Sequence, residues 1–149
     1  DREFCTLDEE LILIENYLDI EKARFEERLQ VEVEVPQELR KLRVPFLILQ
    51  PLVENAVKHS ISENKNGGTV KITAKLENKG QDVSLRLFVS DTGAGKNSNG
   101  SANSNGVGLE NIKGRLKSYY GNKASLNFEQ DAFEGSIASV EIPVKTQTI

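Results

Sequence analysis

Apolar residues recur at helical spacing near the start of the chain, and a polar pair marks where the helix begins. Thr6 and Glu9 stand three residues apart, which is the spacing of a capping box. The apolar positions of the predicted helix are Leu7, Leu11, Ile14, Leu18 and Phe25. They form a heptad seam that Glu21 interrupts. Such a seam is typical of a helix that packs lengthwise on another helix, or of the edge of a globular core. The sequence leaves both possibilities open.

Alternation of apolar and polar residues predicts a set of short, half-buried strands. They cover residues 31–35, 70–76, 83–89, 124–129 and 136–143. Pro36 ends the first strand, and turn-forming residues at 78–82 separate the second strand from the third. Strands joined by such short turns are expected to pair antiparallel.

Two further helices are predicted between the strands. Pro45 suits the first turn of a helix, so the second helix is expected to open there and to end near residues 66–68. Pro51 lies further in, so this helix either kinks or becomes regular only after it. The third helix is predicted roughly over residues 109–120, closed by Gly121.

A stretch rich in glycine, serine and asparagine runs from Gly93 to Gly108. Its middle part, residues 96–105, has almost no apolar side chains and cannot bury itself, so it is predicted to be a mobile loop. Such a loop is either a lid over a site or a tolerated surface insertion.

The order of elements predicts an α+β fold rather than a doubly wound parallel sheet, because helices and strands do not alternate regularly. We expect a two-layer α/β sandwich, with helices on one face of a mixed, mostly antiparallel sheet.

The charge of the chain argues against one class of partner. The chain has 149 residues and a formal net charge of −4 without a dense basic stripe, so nucleic acid is not expected as a partner.

Other features of the chain bear on its surroundings. A single cysteine, Cys5, cannot form an internal disulfide and suggests a reducing compartment. No apolar run is long enough to span a bilayer, and no signal peptide is visible. The sequence begins in the middle of a pattern, so we expect it to belong to a longer protein.

The first group of candidate site residues lies on the second predicted helix. Asn55, Lys58 and His59 stand at i, i+3 and i+4, which predicts that they share one face. A carboxamide oxygen is a hard ligand suited to Mg²⁺, and a lysine supplies positive charge for phosphate oxygens. The alternative is a solvated helix face on which Glu54 and Lys58 form an i, i+4 ion pair.

The second group follows a predicted strand. Asp91 continues the alternation of residues 83–89, so its carboxylate is expected on the buried face, where it needs a partner. An adenine amine is a suitable donor, and Gly93 and Gly95 let the backbone approach a flat ring. The alternative is a simple turn at the end of a strand.

The third group is Gly106-Val107-Gly108-Leu109, which is predicted to lead into the third helix. Free N–H groups and the helix dipole favour an anion at such a place, so these residues are candidates for a phosphate site. The alternative is an ordinary helix start.

The order and separation of the three groups resemble the N, G1 and G2 boxes of the GHKL ATPase superfamily. Three segments are similar to one branch of it, the LytS/YesM-type sensor histidine kinases. These segments are residues 49–59 (LQPLVENAVKH), 17–21 with Arg24 and Phe25, and 106–112 with Arg115 and Leu116. The resemblance covers nearly the whole chain.

This resemblance implies a role for each polar residue of the second helix. Asn55 would ligate Mg²⁺, Lys58 would touch phosphates and His59 would line the site. Glu54, beside the asparagine, is the candidate for the catalytic base. Ser60 stands where this branch often has glycine.

The resemblance also implies the residues around the nucleotide. Asp91 would bind the adenine amine, Gly93 and Gly95 would shape the pocket, and Ser136 matches a threonine found near the adenine in relatives. The residues that would flank the triphosphate are Gly106, Val107, Gly108 and Leu109.

By the same resemblance, residues 1–29 would be the end of a dimerisation helix region, and residues 30–149 a HATPase_c-type catalytic domain with a Bergerat-type fold. The domain would bind ATP with Mg²⁺ and transfer the γ-phosphate to a histidine outside this chain, since the only histidine here is His59. A response regulator would then receive the phosphoryl group.

The whole protein is expected to be a homodimer, anchored in the bacterial membrane with this domain in the cytoplasm. Two other functions stay open: another GHKL ATPase or serine kinase, or a degenerate nucleotide-binding interaction module.

Overall fold

The structure is a computed structural model that describes residues 3–62, 66–92, 99–131 and 135–144. Its helices are α1 (Leu7–Phe25), α2 (Gln50–Ser62) and α3 (Asn99–Tyr120). Its strands are β1 (Phe4–Thr6), β2 (Leu29–Glu34), β3 (Arg43–Pro45), β4 (Gly68–Lys79), β5 (Asp82–Asp91), β6 (Ser125–Asp131) and β7 (Gly135–Pro143). In the described ranges, no helix is long and apolar enough to cross a membrane.

Five strands form the main sheet in the order β2-β4-β5-β7-β6, and β1 pairs with β3 in a separate two-stranded ribbon. The β2–β4 pair is parallel, whereas β4–β5, β5–β7 and β6–β7 are antiparallel. The buried side chains of the three helices and of alternate positions along the strands belong to one hydrophobic core. The predicted α+β fold with a mixed, mostly antiparallel sheet is therefore confirmed.

Helix α1 begins at the predicted capping box. Thr6 Oγ1 accepts a hydrogen bond from the Glu9 backbone N–H at 3.1 Å, and Glu9 Oε1 accepts one from the Thr6 N–H at 2.9 Å. The first four residues of the seam, Leu7, Leu11, Ile14 and Leu18, are at most 2 % exposed and belong to the same core as the sheet. The seam therefore packs against this chain's own core. The division of the chain at residue 29 stays a prediction.

The start of the second helix differs from the prediction. Pro45 does not open a helix, because it is the last residue of β3, and α2 begins at Gln50 with Pro51 in its first turn. Helix α2 is described as far as Ser62, and residues 63–65 lie outside the described residues, so the predicted end near residues 66–68 stays a prediction. Proline fixes φ near −65°, a value that strand ends and first helical turns both accept, so the sequence did not discriminate between the two prolines.

The third helix is longer than predicted at its N-terminal end. It begins at Asn99 rather than near residue 109, so the predicted mobile loop is wrong from Asn99 onward, and residues 96–98 lie outside the described residues. Glycine, serine and asparagine each cost at most about 1 kcal/mol relative to alanine in a helix, and a helix that is already nucleated extends over weak formers. The other end is confirmed: Gly121 follows α3 with φ +63°.

Ser60 in α2 offers a test of the core. Its side chain is fully buried, and within the described residues its hydroxyl has no hydrogen-bond partner. Replacing Ser60 with alanine is expected to raise the free energy of unfolding by about 1 kcal/mol, because a buried unpaired hydroxyl is removed without a change in shape. Urea denaturation measures this change.

The matched control for that substitution is Ser118→Ala, because Ser118 is an exposed serine in α3. It reports the gain in helix propensity alone, about 0.5 kcal/mol. Equal gains at the two positions would contradict the interpretation of Ser60 as an unpaired buried group.

Candidate functional site

The site centres on Asp91, the last residue of β5. The register of the sheet places it directly between Val70 of β4 and Ser136 of β7. Asp91 is only 3 % exposed, on the same side of the sheet as the buried Val89, Leu87 and Leu85. The alternation along β5 therefore carries a carboxylate into the core face, as the sequence predicted.

Three elements bring polar side chains to this carboxylate. The Ser136 hydroxyl on β7 donates a hydrogen bond to Asp91 Oδ2. His59 on α2 places Nδ1 3.7 Å from the same oxygen, and the side chains of His59 and Asp91 are each 2 % exposed. Three of the predicted site residues therefore meet at one buried point beneath α2, which is suited to hold a polar ligand group by hydrogen bonds.

Gly135 allows β7 to approach β5 closely at this point. Its φ is +106°, and a Cβ atom there would lie 1.9 Å from the carbonyl oxygen of Asp91. No other residue type fits this combination of backbone conformation and contact. The glycine therefore sets the distance at which the neighbouring Ser136 hydroxyl reaches the Asp91 carboxylate.

Thr92 fixes the end of β5 from the other side, a feature that the sequence analysis missed. Its hydroxyl accepts a hydrogen bond from the Thr69 N–H at 3.0 Å, and its own N–H donates to the Thr69 carbonyl at 3.2 Å. These two bonds extend the β4–β5 pairing one residue beyond Asp91. A threonine directly after the aspartate was the only local signal for them.

The polar residues of α2 point in different directions. His59 is buried beside Asp91 and Asn55 is half-buried, whereas Glu54 and Lys58 are exposed. Glu54 and Lys58 line a groove between α1 and α2 with a volume of about 300 Å³. The expectation that Asn55, Lys58 and His59 share one face is therefore met for Asn55 and His59, one helical turn apart, while Lys58 lies with Glu54 on the groove side.

The groove also contains Tyr17, a tyrosine whose pKa is raised. Burial, together with the negative charges of Glu21 and Glu54, raises the pKa of Tyr17 to about 12. With this pKa, Tyr17 stays neutral at a pH at which an ordinary tyrosine, with a pKa of about 10, would begin to ionise. Glu54 itself accepts a hydrogen bond from Gln50 Nε2 at 3.1 Å, one turn earlier in α2.

The third group of candidate residues lies inside a helix. Gly106 to Leu109 fall within α3, so the prediction that these glycines precede a helix N-terminus is wrong. Inside a helix, backbone N–H groups bond to carbonyls four residues earlier and are not free for an anion. The side chain of Val107 is not described, and Gly108 has open space around it. Gly93 and Gly95 lie outside the described residues.

Comparison with known proteins adds to this geometry. No family model matches the chain. The sensor histidine kinase BtsS of Escherichia coli K12 is 40% identical over 119 residues, which cover 80% of this chain and 20% of BtsS. The sensor histidine kinase/phosphatase LytS of Staphylococcus aureus MRSA252 is 34% identical over 134 residues, covering 83% of this chain and 22% of LytS. The chain therefore spans about a fifth of the length of these two relatives.

Solved structures share the fold. The nucleotide-free catalytic domain of the histidine kinase ThkA has a TM-score of 0.63 at 20% identity, over 99% of this chain and 100% of that domain. Full-length ShkA in complex with AMPPNP has a TM-score of 0.63 at 21% identity, over 98% of this chain and 32% of ShkA. At these identities, the likeness concerns the fold alone.

Proposed function

Since the chain belongs to the sensor histidine kinases, of which it forms the ATP-binding catalytic domain, we propose that it binds ATP with Mg²⁺ at Asp91 and Asn55 for phosphoryl transfer to a histidine. The observation that carries this proposal is the buried Asp91 carboxylate, held between β4 and β7 and contacted by Ser136 and His59. A carboxylate on an apolar sheet face is costly unless it serves as an acceptor.

The residues present fit adenine. Asp91 offers carboxylate oxygens to the exocyclic amine, whereas guanine has a carbonyl oxygen at that position and would repel the carboxylate. Val89 and Val70, beside Asp91, are fully buried, so the carboxylate lies in apolar surroundings. A flat, mostly apolar ring with one amine at its edge suits such surroundings.

The residues of α2 fit the phosphates and the metal less completely. Asn55 supplies one hard oxygen ligand, and Mg²⁺ normally completes its shell with waters and phosphate oxygens. When bound, the ion would neutralise phosphate charge. Lys58 is exposed on the groove side of α2 and stays a predicted contact of the phosphate oxygens. Gly106, Val107, Gly108 and Leu109 stay predicted contacts of the triphosphate, and Gly93 and Gly95 stay predicted pocket residues.

In the whole protein, the transfer itself breaks the bond between the γ-phosphorus and its bridging oxygen, and forms a bond from that phosphorus to an imidazole nitrogen. ADP leaves, and Glu54 is the residue proposed to accept the imidazole proton. Positioning and charge neutralisation account for most of the catalysis in such reactions. The acceptor histidine lies outside this chain, because His59 is 2 % exposed beside Asp91.

Further proposals concern the protein of which this chain is a part. A response-regulator aspartate would receive the phosphoryl group from the histidine. The protein would act as a homodimer through a helix region that precedes the catalytic domain, and it would be anchored in the membrane with this domain in the cytoplasm.

Calorimetric titration of the chain with AMPPNP and Mg²⁺ tests the binding step. We expect a dissociation constant in the micromolar to millimolar range, and no measurable binding of the corresponding guanine nucleotide, because of the carboxylate at Asp91. Equal binding of both nucleotides would contradict the assignment of Asp91. The transfer step is tested in the whole protein with γ-labelled ATP: an acid-labile label supports phosphohistidine, whereas an acid-stable one would indicate a serine kinase.

A further inference from the structure

The turn that leads into α2 is held by side chains from both other helices. Residues 46–49 connect β3 to α2 and are called here the clamped turn. Within it, Leu47 adopts φ +59°, a conformation that residues other than glycine rarely take. Such a backbone conformation persists only where its surroundings hold it in place. The clamped turn is held by hydrogen bonds from side chains of α1 and α3.

The side chain of Glu10 in α1 binds backbone N–H groups of the clamped turn and of the residue that follows it. The carboxylate accepts hydrogen bonds from the N–H groups of Leu47 at 2.9 Å, Leu49 at 3.0 Å and Gln50 at 3.3 Å. Glu10 is fully buried, so these bonds are what offset the loss of its hydration.

The bonds from Glu10 replace a cap that α2 cannot make for itself. Leu49 precedes the first residue of α2 and has no side-chain oxygen, and Pro51 has no N–H to satisfy. The N–H groups of Leu49 and Gln50 are therefore satisfied by a residue of another helix. A serine or aspartate at position 49 would not replace these bonds, because an N-cap side chain accepts from the second or third helical residue, and Pro51 leaves only the N–H of Leu52.

The side chain of Arg115 in α3 binds backbone carbonyl groups of the same turn. Its guanidinium donates to the Leu47 carbonyl at 3.2 Å and to the Phe46 carbonyl. An anion thus holds the donors of the turn and a cation holds its acceptors. The two residues come from different helices, α1 and α3.

We propose that Glu10 and Arg115 are positioning residues for the nucleotide site. They fix the start of α2 relative to α1 and α3, and thereby fix Asn55 and His59, which follow within three helical turns, against Asp91 on the sheet. The inference rests on the proposed function, since it is nucleotide binding that a fixed α2 would serve. The same contacts connect α1 to α2, so that the two helices would move as one body. A displacement of α1 would then displace Asn55 and His59.

The test compares four variants of the chain: two single variants, the double variant that combines them, and a control. Glu10→Gln exchanges one acceptor oxygen for an amide donor that faces the N–H groups of the turn. Arg115→Lys keeps the charge but replaces the planar fork with a single ammonium. Glu9→Gln is the matched control, because Glu9 is next to Glu10, is exposed and hydrogen-bonds to Thr6 in the capping box, where glutamine is also accepted.

Each of the first two variants is expected to weaken AMPPNP binding about three- to tenfold, because the site-competent position of α2 becomes a fraction of the population. Amide hydrogen exchange of Leu47, Leu49 and Gln50 is expected to accelerate in Glu10→Gln while exchange in β5 is unchanged. The double variant is expected to bind no more weakly than the worse single variant, since both residues hold one turn. The control is expected to match the wild-type chain in binding and exchange.

The readouts separate positioning from a merely structural role. Faster exchange of the turn with affinity within twofold of wild type would overturn the proposal, because the clamp would then be broken without effect on the site. Independent, multiplicative losses in the double variant would also overturn it. If the wild-type chain itself bound no AMPPNP, the proposed function would fail, and the inference would fall with it; wild-type binding that Glu10→Gln leaves intact would refute the inference alone.

Discussion

Replacing Asp91 with asparagine is expected to weaken AMPPNP binding by about a hundredfold. The substitution keeps the shape of the side chain but turns one acceptor oxygen into a donor, which faces the exocyclic amine of adenine. The Ser136 hydroxyl, which donates to Asp91 Oδ2, loses a charged acceptor at the same time. Calorimetric titration at constant Mg²⁺ concentration measures the change, and circular dichroism checks that the variant is folded.

Asp82→Asn is the matched control for this prediction. Asp82 is the first residue of the same strand, β5, and is exposed. The control is expected to bind AMPPNP as the wild-type chain does, because Asp82 lies at the opposite end of β5 from the site. A variant at Asp91 with wild-type affinity would mean that adenine is recognised elsewhere, and the proposed function would lose the observation that carries it.

Replacing Gly135 with alanine is expected to lower the free energy of unfolding by more than about 4 kcal/mol. The added Cβ would lie 1.9 Å from the Asp91 carbonyl oxygen and 2.8 Å from Thr92 Cα, so two strands would have to separate. The φ of +106° adds backbone strain that alanine cannot relieve. Urea denaturation measures the loss, and a chain that no longer folds would be consistent with it.

Gly80→Ala separates steric contact from backbone strain. Gly80 lies in the β4–β5 turn with φ +65°, and no atom lies within 4 Å of the position that its Cβ would take. The expected loss there is only about 1–2 kcal/mol, the cost of a left-handed residue. Equal losses at Gly80 and Gly135 would show that the close approach of β7 to Asp91 contributes nothing.

The fold was predictable where one residue pattern fixes both the element and its orientation. The alternation in β4 and β5 gave two strands and the buried side of each, and hence the burial of Asp91. The capping box at Thr6 gave the start of α1, and Gly121 gave the end of α3. In each of these cases, the deciding interaction lies within a few residues of the pattern.

Long-range contacts explain most of what the sequence did not reveal. Glu10 stands between apolar seam positions like an ordinary polar residue, and the backbone groups that bind it lie 37 to 40 residues later. The three-residue strands β1 and β3 are too short to show alternation. The early start of α3 was hidden by residues with low helix propensity.

Some site residues were placed correctly from the sequence and others were not, again because long-range contacts are not visible in a local pattern. His59, Asp91 and Ser136 meet as the resemblance implied, because the register of β5 and β7 and the position of α2 are set by the core. Spacing along a helix was less informative: Lys58, next to His59, lies on the groove side with Glu54. The glycines of the third group were placed before a helix that in fact begins earlier.

The topology of the sheet also separates contacts that form early from those that form late. The β4–β5 hairpin closes over Gly80 and Gln81, and hairpins of this kind form within about 10 μs. The parallel β2–β4 pair requires a crossover that contains α2, and the entropic cost of that closure is met only when the helix docks. We therefore expect the strand that carries Asp91 to pair before the helix that carries Asn55 and His59 docks, so that the proposed nucleotide site is completed late in folding.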